Sequence, residues 1–282
     1  MTYTPTIDID IWNATRDFVA ASVLKCRHKT AYSSDDLMQA TTRLVAWVHE
    51  QPELELSRRV VFAPVTIERF VAEGLAHYAP ASRGNRRSML LRMSEALLGD
   101  RARRVRLAPL PPSTASAPYS KEEVAELRAW ARLSTGARRK TANVLVALGV
   151  GAGLSASEIL GVCRRDIVAD GSKALATVCG SRPRVVLMER AWAETLLRAV
   201  ADLEPGDWVF GNGRTTAGKN LVTNFIAKTA SAGLAPNTQR MRATWIVGQL
   251  QAGVAAVPLM QAAGVASLEA ITRYVQFVDD AA

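Results

Sequence analysis

Arginine supplies 28 of the 35 basic side chains in this 282-residue chain and lysine only 7. A guanidinium is planar and grips two phosphate oxygens at once, so the bias suits a phosphate-bearing partner. The densest cluster is Arg83, Arg86, Arg87, Arg92, Arg101, Arg103, Arg104 and Arg106, set against only Glu95 and Asp100. Arg138, Arg139 and Lys140 form a second group, and Arg164, Arg165, Arg182 and Arg184 a third. Asn85, Thr238, Gln239 and Arg240 are of the types that reach base edges. The net charge is +9 and the pI about 9.9. The expected partner is therefore a polyanion, and phosphate neutralisation by these side chains would make affinity fall as salt rises. Residues 1–112 carry +4 (16 basic, 12 acidic) and residues 113–282 carry +5 (19 basic, 14 acidic), so both halves are expected to touch it. The bland alternative for each cluster is a solvated basic face that binds nothing.

Other chemistries find little material. His28, His49 and His77 all lie in the first third, so the rest of the chain must work without imidazole. Cys26, Cys163 and Cys179 form no CxxC pair and have no even count, which fits a reducing cytosol and no disulfide or zinc frame. Asp202, Glu204 and Asp207 surround Pro205-Gly206 and read as a solvated turn, not a metal site. Gly211-Asn212-Gly213 lacks the lysine spacing of a phosphate-binding loop. No metal, cofactor or small-molecule substrate is expected. The longest apolar stretch, Val144 to Ala152, falls well short of the roughly 18 residues a membrane span needs. The first twelve residues lack the pattern of a secretory signal. A cytoplasmic protein is expected, associated with the nucleoid if the host is bacterial.

The elements that must position these side chains are mainly helical. Ser33 to Asp36 offer an N-cap, followed by Leu37, Ala40, Leu44, Val45, Trp47 and Val48 at helical spacing. Thr66 is expected to cap a second helix with Ile67, Phe70, Val71 and Leu75 inward. Ser82 is expected to open a third, with Met89, Leu90, Met93, Leu97 and Leu98 inward and Gly99 at its end. Leu107 to Pro118 holds four prolines and no charge, and reads as a linker between domains at 1–106 and 119–282. Beyond it, Ser120 to Glu123 resembles a capping box, with helices at about 121–130, 137–151 and 155–162. The β-branched runs at 166–168, 174–178 and 184–188 predict a three-stranded meander. Helices are expected again at about 190–203, 219–233, 237–252, 257–263 and 267–278. The fold class is α+β, mainly helical, with a small antiparallel sheet.

Several strings resemble the tyrosine recombinase (phage integrase) family, and the resemblance covers most of the chain. Gly153-Leu154-Ser155-Ala156-Ser157-Glu158-Ile159-Leu160 is similar to that family's G-L-R-x-S-E-L, with Arg165-Asp166-Ile167 following. Val178 to Leu187 resembles its basic β-hairpin, Met241-Arg242-Ala243-Thr244 its L-R-H-T, and Gln251-Ala252-Gly253-Val254 its E-A-G-V. Ala263-Gly264-Val265-Ala266-Ser267 resembles L-G-H-S-S, and Tyr274 stands where the family has its nucleophile. The resemblance implies an N-terminal helical core-binding (SAM-like) domain, a linker and a catalytic-fold domain. It also implies a chemistry in which a tyrosine hydroxyl attacks a DNA phosphodiester. Two arginines, a lysine and two histidines (or His and Trp) there stabilise the charged phosphate and protonate the leaving oxygen.

Carried across residue by residue, most of that set is gone. The first arginine falls on Ser155, which could simply cap its own helix. The hairpin lysine falls near Cys179 or Ser181, with Arg182 a possible stand-in; the histidines fall on Gln239 and Ala243, and the late His/Trp on Val265. Arg242 and Tyr274 survive. Each lost donor costs on the order of 10²–10³ in rate, about 3–4 kcal/mol, though such losses do not add. The expectation is an inactive member that binds a specific DNA site, as a phage or mobile-element repressor or an accessory factor in recombination. Its DNA contacts would come from Arg83, Asn85, Arg86, Arg87, Arg138, Arg139, Lys140, Arg182, Arg184, Gln239, Arg240 and Arg242. The rivals are an active recombinase using Tyr274 with a rearranged basic set, and a protein-interaction scaffold whose basic surface is incidental. Tyr274, with Ile271, Val275 and Val278 beside it, also fits a core position. Only eight residues follow Tyr274, which favours a monomer or loose dimer on DNA.

Overall fold

A computed structural model describes residues 3, 5–103, 114–211, 213–214, 218, 220–229 and 235–278. The chain divides into two compact units, Met1–Ser113 and Thr114–Ala282. Most of the expected linker, including Leu107 to Ser113, lies outside the described residues.

The first unit is all-helical among its described residues: α1 (Ile9–Cys26), α2 (Ser34–His49), α3 (Arg58–Val61), α4 (Pro64–Ala72), α5 (Pro80–Leu98) and α6 (Asp100–Arg103). Ser33 caps α2 as expected, its Oγ accepting from the Asp36 amide. Two starts differ from expectation. The fourth helix begins at Pro64 and the fifth at Pro80, because proline's fixed φ and missing N–H suit the first helical position better than an interior one. Thr66 is buried inside α4 instead of capping it. Gly99 ends α5 with φ +62. The core of this unit gathers Val19, Leu37, Leu44, Phe62, Ile67, Phe70, Leu90 and Met93.

The second unit begins with α7 (Lys121–Leu133), α8 (Gly136–Ala152) and α9 (Ala156–Gly161). Strands β1 (Ile167–Asp170), β2 (Lys173–Val178) and β3 (Arg184–Met188) follow, then α10 (Arg190–Ala199), α11 (Leu221–Thr229), α12 (Thr238–Gln251), α13 (Ala256–Ala263) and α14 (Glu269–Thr272). Every residue of α8 from Val144 to Ala152 is buried, so this apolar run is the pillar of the unit. The sheet is the expected meander, ordered β1-β2-β3 and antiparallel, with Ile167 opposite Ala176 and Val178 opposite Arg184. Ala174, Ala176, Val178, Val186 and Met188 form its buried face, against which α8 and α10 pack.

Two later helices, the tenth and the last, are shorter than the sequence suggests. The tenth helix stops at Ala199, where Val200 leads into the turn before Pro205. The eleventh spans Leu221–Thr229, and residues 219 and 230–234 lie outside the described set. The expected helix at 267–278 breaks into α14 and a 3₁₀ turn at Val275–Phe277. There the bonds tighten to three-residue spacing, Tyr274 N–H donating to Ile271 O and Phe277 N–H to Tyr274 O. Ile271, Thr272 and Val275 are β-branched and lower the helix propensity of this stretch.

Candidate nucleic-acid interface

The start of α9 sets the geometry around the positions carried over above. Ser155 is its N-cap in a full capping box. The Ser155 amide and hydroxyl both donate to Glu158 Oε2 (2.8 Å each), and the Glu158 amide donates back to Ser155 Oγ at 3.4 Å. The preceding turn requires Gly153, which adopts φ +63, and an added Cβ there would stand 2.3 Å from the Trp245 ring. Local structure thus aims the Glu158 carboxylate into the unit. Arg184 Nη1 donates to Glu158 Oε1 at 2.7 Å, and Arg242 Nη1 lies 3.5 Å from Oε2. These side chains are 8% (Arg184), 21% (Glu158) and 17% (Arg242) exposed, so water screens them poorly.

The other bonds these guanidiniums make go to backbone carbonyls, and Arg184 Nη2 is buried without a hydrogen-bond partner. Arg184 Nε donates to Ala262 O at 2.6 Å, Arg242 Nη2 to Ala263 O, and Arg182 Nη1 to Gly264 O at 2.7 Å. Arg242 Nη1 also donates to Gly153 O. Three arginines therefore close the C-terminal end of α13, where unpaired carbonyls concentrate partial negative charge. Burial holds the Arg242 guanidinium below its ordinary range; Glu158 opposes that shift, while Arg184 and Arg182 add to it. Burial alone would raise the Glu158 carboxyl, but hydrogen bonds from Arg184 and Ser155 hold it below the usual carboxylate range. Tyr274 is 9% exposed and packs in the core with Ile271, Leu259 and Ala263. Its ring is faced by Arg273 at 5.4 Å, and its phenol contributes to the electrostatics of Arg242.

The DNA-contact candidates divide by what already holds them. Arg87 ion-pairs with Glu68 and is 12% exposed. Arg86 stacks over the Tyr78 ring at 4.4 Å and donates to Ser82 O. Asn85 is exposed and Arg83 half-buried, on the same helix. Arg138 and Arg139 are exposed, Arg139 Nε donating to Ser134 O at 2.9 Å, and Lys140 pairs with Asp202. Arg182 is exposed beyond its one carbonyl bond, whereas Arg184 is turned inward. Gln239 is exposed and accepts from Ser116 Oγ at 3.3 Å. Arg240 ties α12 to the stretch before α7. It donates to Ala117 O, Pro118 O and Glu123 Oε2 (2.7 Å) and lies 3.9 Å from the centre of the Tyr119 ring. The structure thus presents Asn85, Arg138, Arg139, Arg182 and Gln239 outward, leaves Arg83 half-buried, and commits Arg87, Arg184, Arg240 and Arg242 to internal contacts. Arg104 and Arg106 lie outside the described residues. The residue that sequence reasoning left without a role is Glu158, the hub of the inward set. Its signal was present in Ser155-Ala156-Ser157-Glu158, the spacing of a capping box.

No protein-family model matches the sequence, and no curated protein is significantly similar to it. Solved structures do match. One is the XerH site-specific recombinase bound to a palindromic difH substrate, with TM-score 0.63, 14% identity, and coverage of 92% of this chain and 80% of that one. The Tn1549 transposon integrase in complex with circular intermediate DNA matches at TM-score 0.62 and 12% identity, covering 91% and 94%. A lambda integrase dimer bound to a COC' core site matches at 0.57 and 12%, covering 97% and 96%. The chain has the tyrosine recombinase fold. It is a mainly helical α+β protein whose similarity to these recombinases and integrases lies in architecture.

Proposed function

We propose that this protein binds specific double-stranded DNA without cutting it. It would act as a monomer or loose dimer in the cytoplasm, as a mobile-element repressor or a recombination accessory factor. The similar recombinases and integrases are solved on DNA, and the chain keeps a +9 charge with exposed arginines in both units. One observation carries the loss of cleavage. Arg242, the surviving arginine, is occupied by Gly153 O, Ala263 O and Glu158, and residues 114–282 contain no histidine. A phosphate beside Tyr274 would have to displace those carbonyls and would find no imidazole to protonate its leaving oxygen.

The competing reading is an active recombinase, favoured by the gathering of Arg182, Arg184 and Arg242 near one helix end. A nicked suicide duplex, carrying sites selected from genomic fragments, separates the two. The expected result is salt-dependent binding with no covalent adduct. An adduct that disappears in Tyr274→Phe would overturn the non-cleaving reading, and absence of salt-dependent binding would overturn DNA binding itself.

A further inference from the structure

A separate feature lies on the same unit, between α7, α8 and α10. A cleft of about 740 Å³ is lined by Arg128, Arg132, Arg139, Lys140, Arg198 and Trp192, with Glu194 on its wall. The cleft runs along the α10 side of α8, where Trp192 packs on Gly151, and shares no lining residue with the Arg242–Glu158 cluster. We propose that this cleft binds a free oligophosphate, a compact anion of two or more linked phosphates.

The charge balance inside it is the first support. Glu194 is held by Arg190 at 2.8 Å, and Lys140 is neutralised by Asp202. Among the described residues no ion pair within 4 Å joins Arg128, Arg132 or Arg198 to a carboxylate, and the one acidic attraction on these three is a longer-range one between Arg198 and Glu194. The guanidinium of Arg128 lies 3.8 Å from the centre of the Trp192 ring, which fixes its plane and leaves its edge donors for a ligand. Burial, and then the neighbouring Arg132, hold Arg128 below its ordinary range. A multiply charged anion would relieve both the desolvation and the repulsion.

Shape chooses among phosphate sources. The cations line a concavity between three helices, which a small anion can enter. A duplex is a wide rod that lies along an outer surface. Several cations on one small volume also match an anion carrying several charges better than a single sulfate.

The test is calorimetric titration of the full chain with inorganic pyrophosphate, with sulfate and a DNA duplex as the other arms. Saturable one-to-one binding of pyrophosphate, much tighter than sulfate, is expected. The double variant Arg132→Glu/Arg198→Glu changes two exposed side chains and should fold normally by circular dichroism. Its pyrophosphate affinity should fall by at least roughly tenfold, a much larger factor than any change in duplex affinity, although Arg139 and Lys140 of the same cleft are also DNA-contact candidates. Arg128→Lys keeps the charge but loses the planar stack, and should weaken pyrophosphate binding less. Absent saturation, equal binding of sulfate, or an unaffected double variant would overturn the proposal. So would a parallel loss of duplex binding, because the cations would then belong to the DNA surface. DNA binding can fail in its own assay while pyrophosphate still binds, so the two readings fail separately.

Discussion

Replacing Arg184 by alanine separates a structural from a DNA-binding role for the inward arginines. Its side chain is 8% exposed, and the removed guanidinium bonds Glu158 Oε1 at 2.7 Å and Ala262 O at 2.6 Å. Glu158 would be left as a largely buried carboxylate facing only Arg242 at 3.5 Å and its own capping box. Breaking a buried pair from one side costs about 3–5 kcal/mol. Because Glu158 retains 21% exposure, the low end applies, about 3 kcal/mol. In a unit this large each kcal/mol moves the melting temperature by about 2–4 °C, so a fall of roughly 6–12 °C is expected. The assay is calorimetry of the full chain, following the transition of the second unit, beside a salt-titrated DNA-binding assay. Arg184→Met with Glu158→Leu should lose less than Arg184→Ala alone, since no charge is stranded. The pH dependence carries a further sign. Glu158 is held below its ordinary range, so the unfolded chain binds the extra proton. Its contribution is complete above the ordinary carboxyl range and disappears as pH falls through its folded value. Glu158→Gln should therefore flatten the acid limb of the stability curve. Should Arg184→Ala melt with the parent while losing DNA affinity, the claim that this arginine serves the fold is wrong.

Three other outcomes are expected. Gly153→Ala should destabilise the second unit by about 2–4 kcal/mol, combining a left-handed backbone with overpacking against Trp245, measured by denaturant unfolding. Phe62→Ala empties a fully buried site in the first unit and should cost about 3–5 kcal/mol; thermal melts should show the first unit's transition falling while the second's stays. Arg83→Ala with Arg138→Ala should reduce the slope of log affinity against log salt by about 0.9 per lost phosphate contact, read by fluorescence anisotropy. An unchanged slope would remove those two arginines from the interface.

Much of the architecture was legible because its signals are local. The capping residues Ser33, Ser120 and Ser155, the glycine at 99, and the period-two strands all act within a few residues. The first helix was not anticipated, and its composition explains why. Its buried positions are Thr15, Val19, Ser22, Val23 and Cys26, so two hydroxyl side chains interrupt the apolar stripe. Thr15 satisfies its hydroxyl on Ile11 O, four residues back, and needs no distant partner. The basic set was legible as a composition but not as a surface. Nothing in the run from Arg83 to Arg87 tells which guanidinium meets Glu68, a partner 19 residues away. Likewise, what occupies Arg242 lies 21 and 89 residues off along the chain.

That distance also bears on how the second unit holds together. Helix α13 has eight residues and ends in a left-handed glycine, Gly264, so its last carbonyls would otherwise face each other's partial charge without donors. Arg182 and Arg184 come from the hairpin side of the sheet and Arg242 from α12, so one cluster of guanidiniums pins three separate segments. A cation at a helix C-terminus is favourable in itself, and Glu158 supplies the anion that makes several guanidiniums tolerable in one partly buried volume. An arrangement suited to attracting phosphate is also suited to gripping carbonyl oxygens, since both present lone pairs to a planar donor fork. With Ser155 capping α9 in place of a further guanidinium, Glu158 is drawn into the cap and the remaining arginines close on the backbone. Stability of the unit and readiness for phosphate then compete for the same donors, and in this structure the backbone holds them.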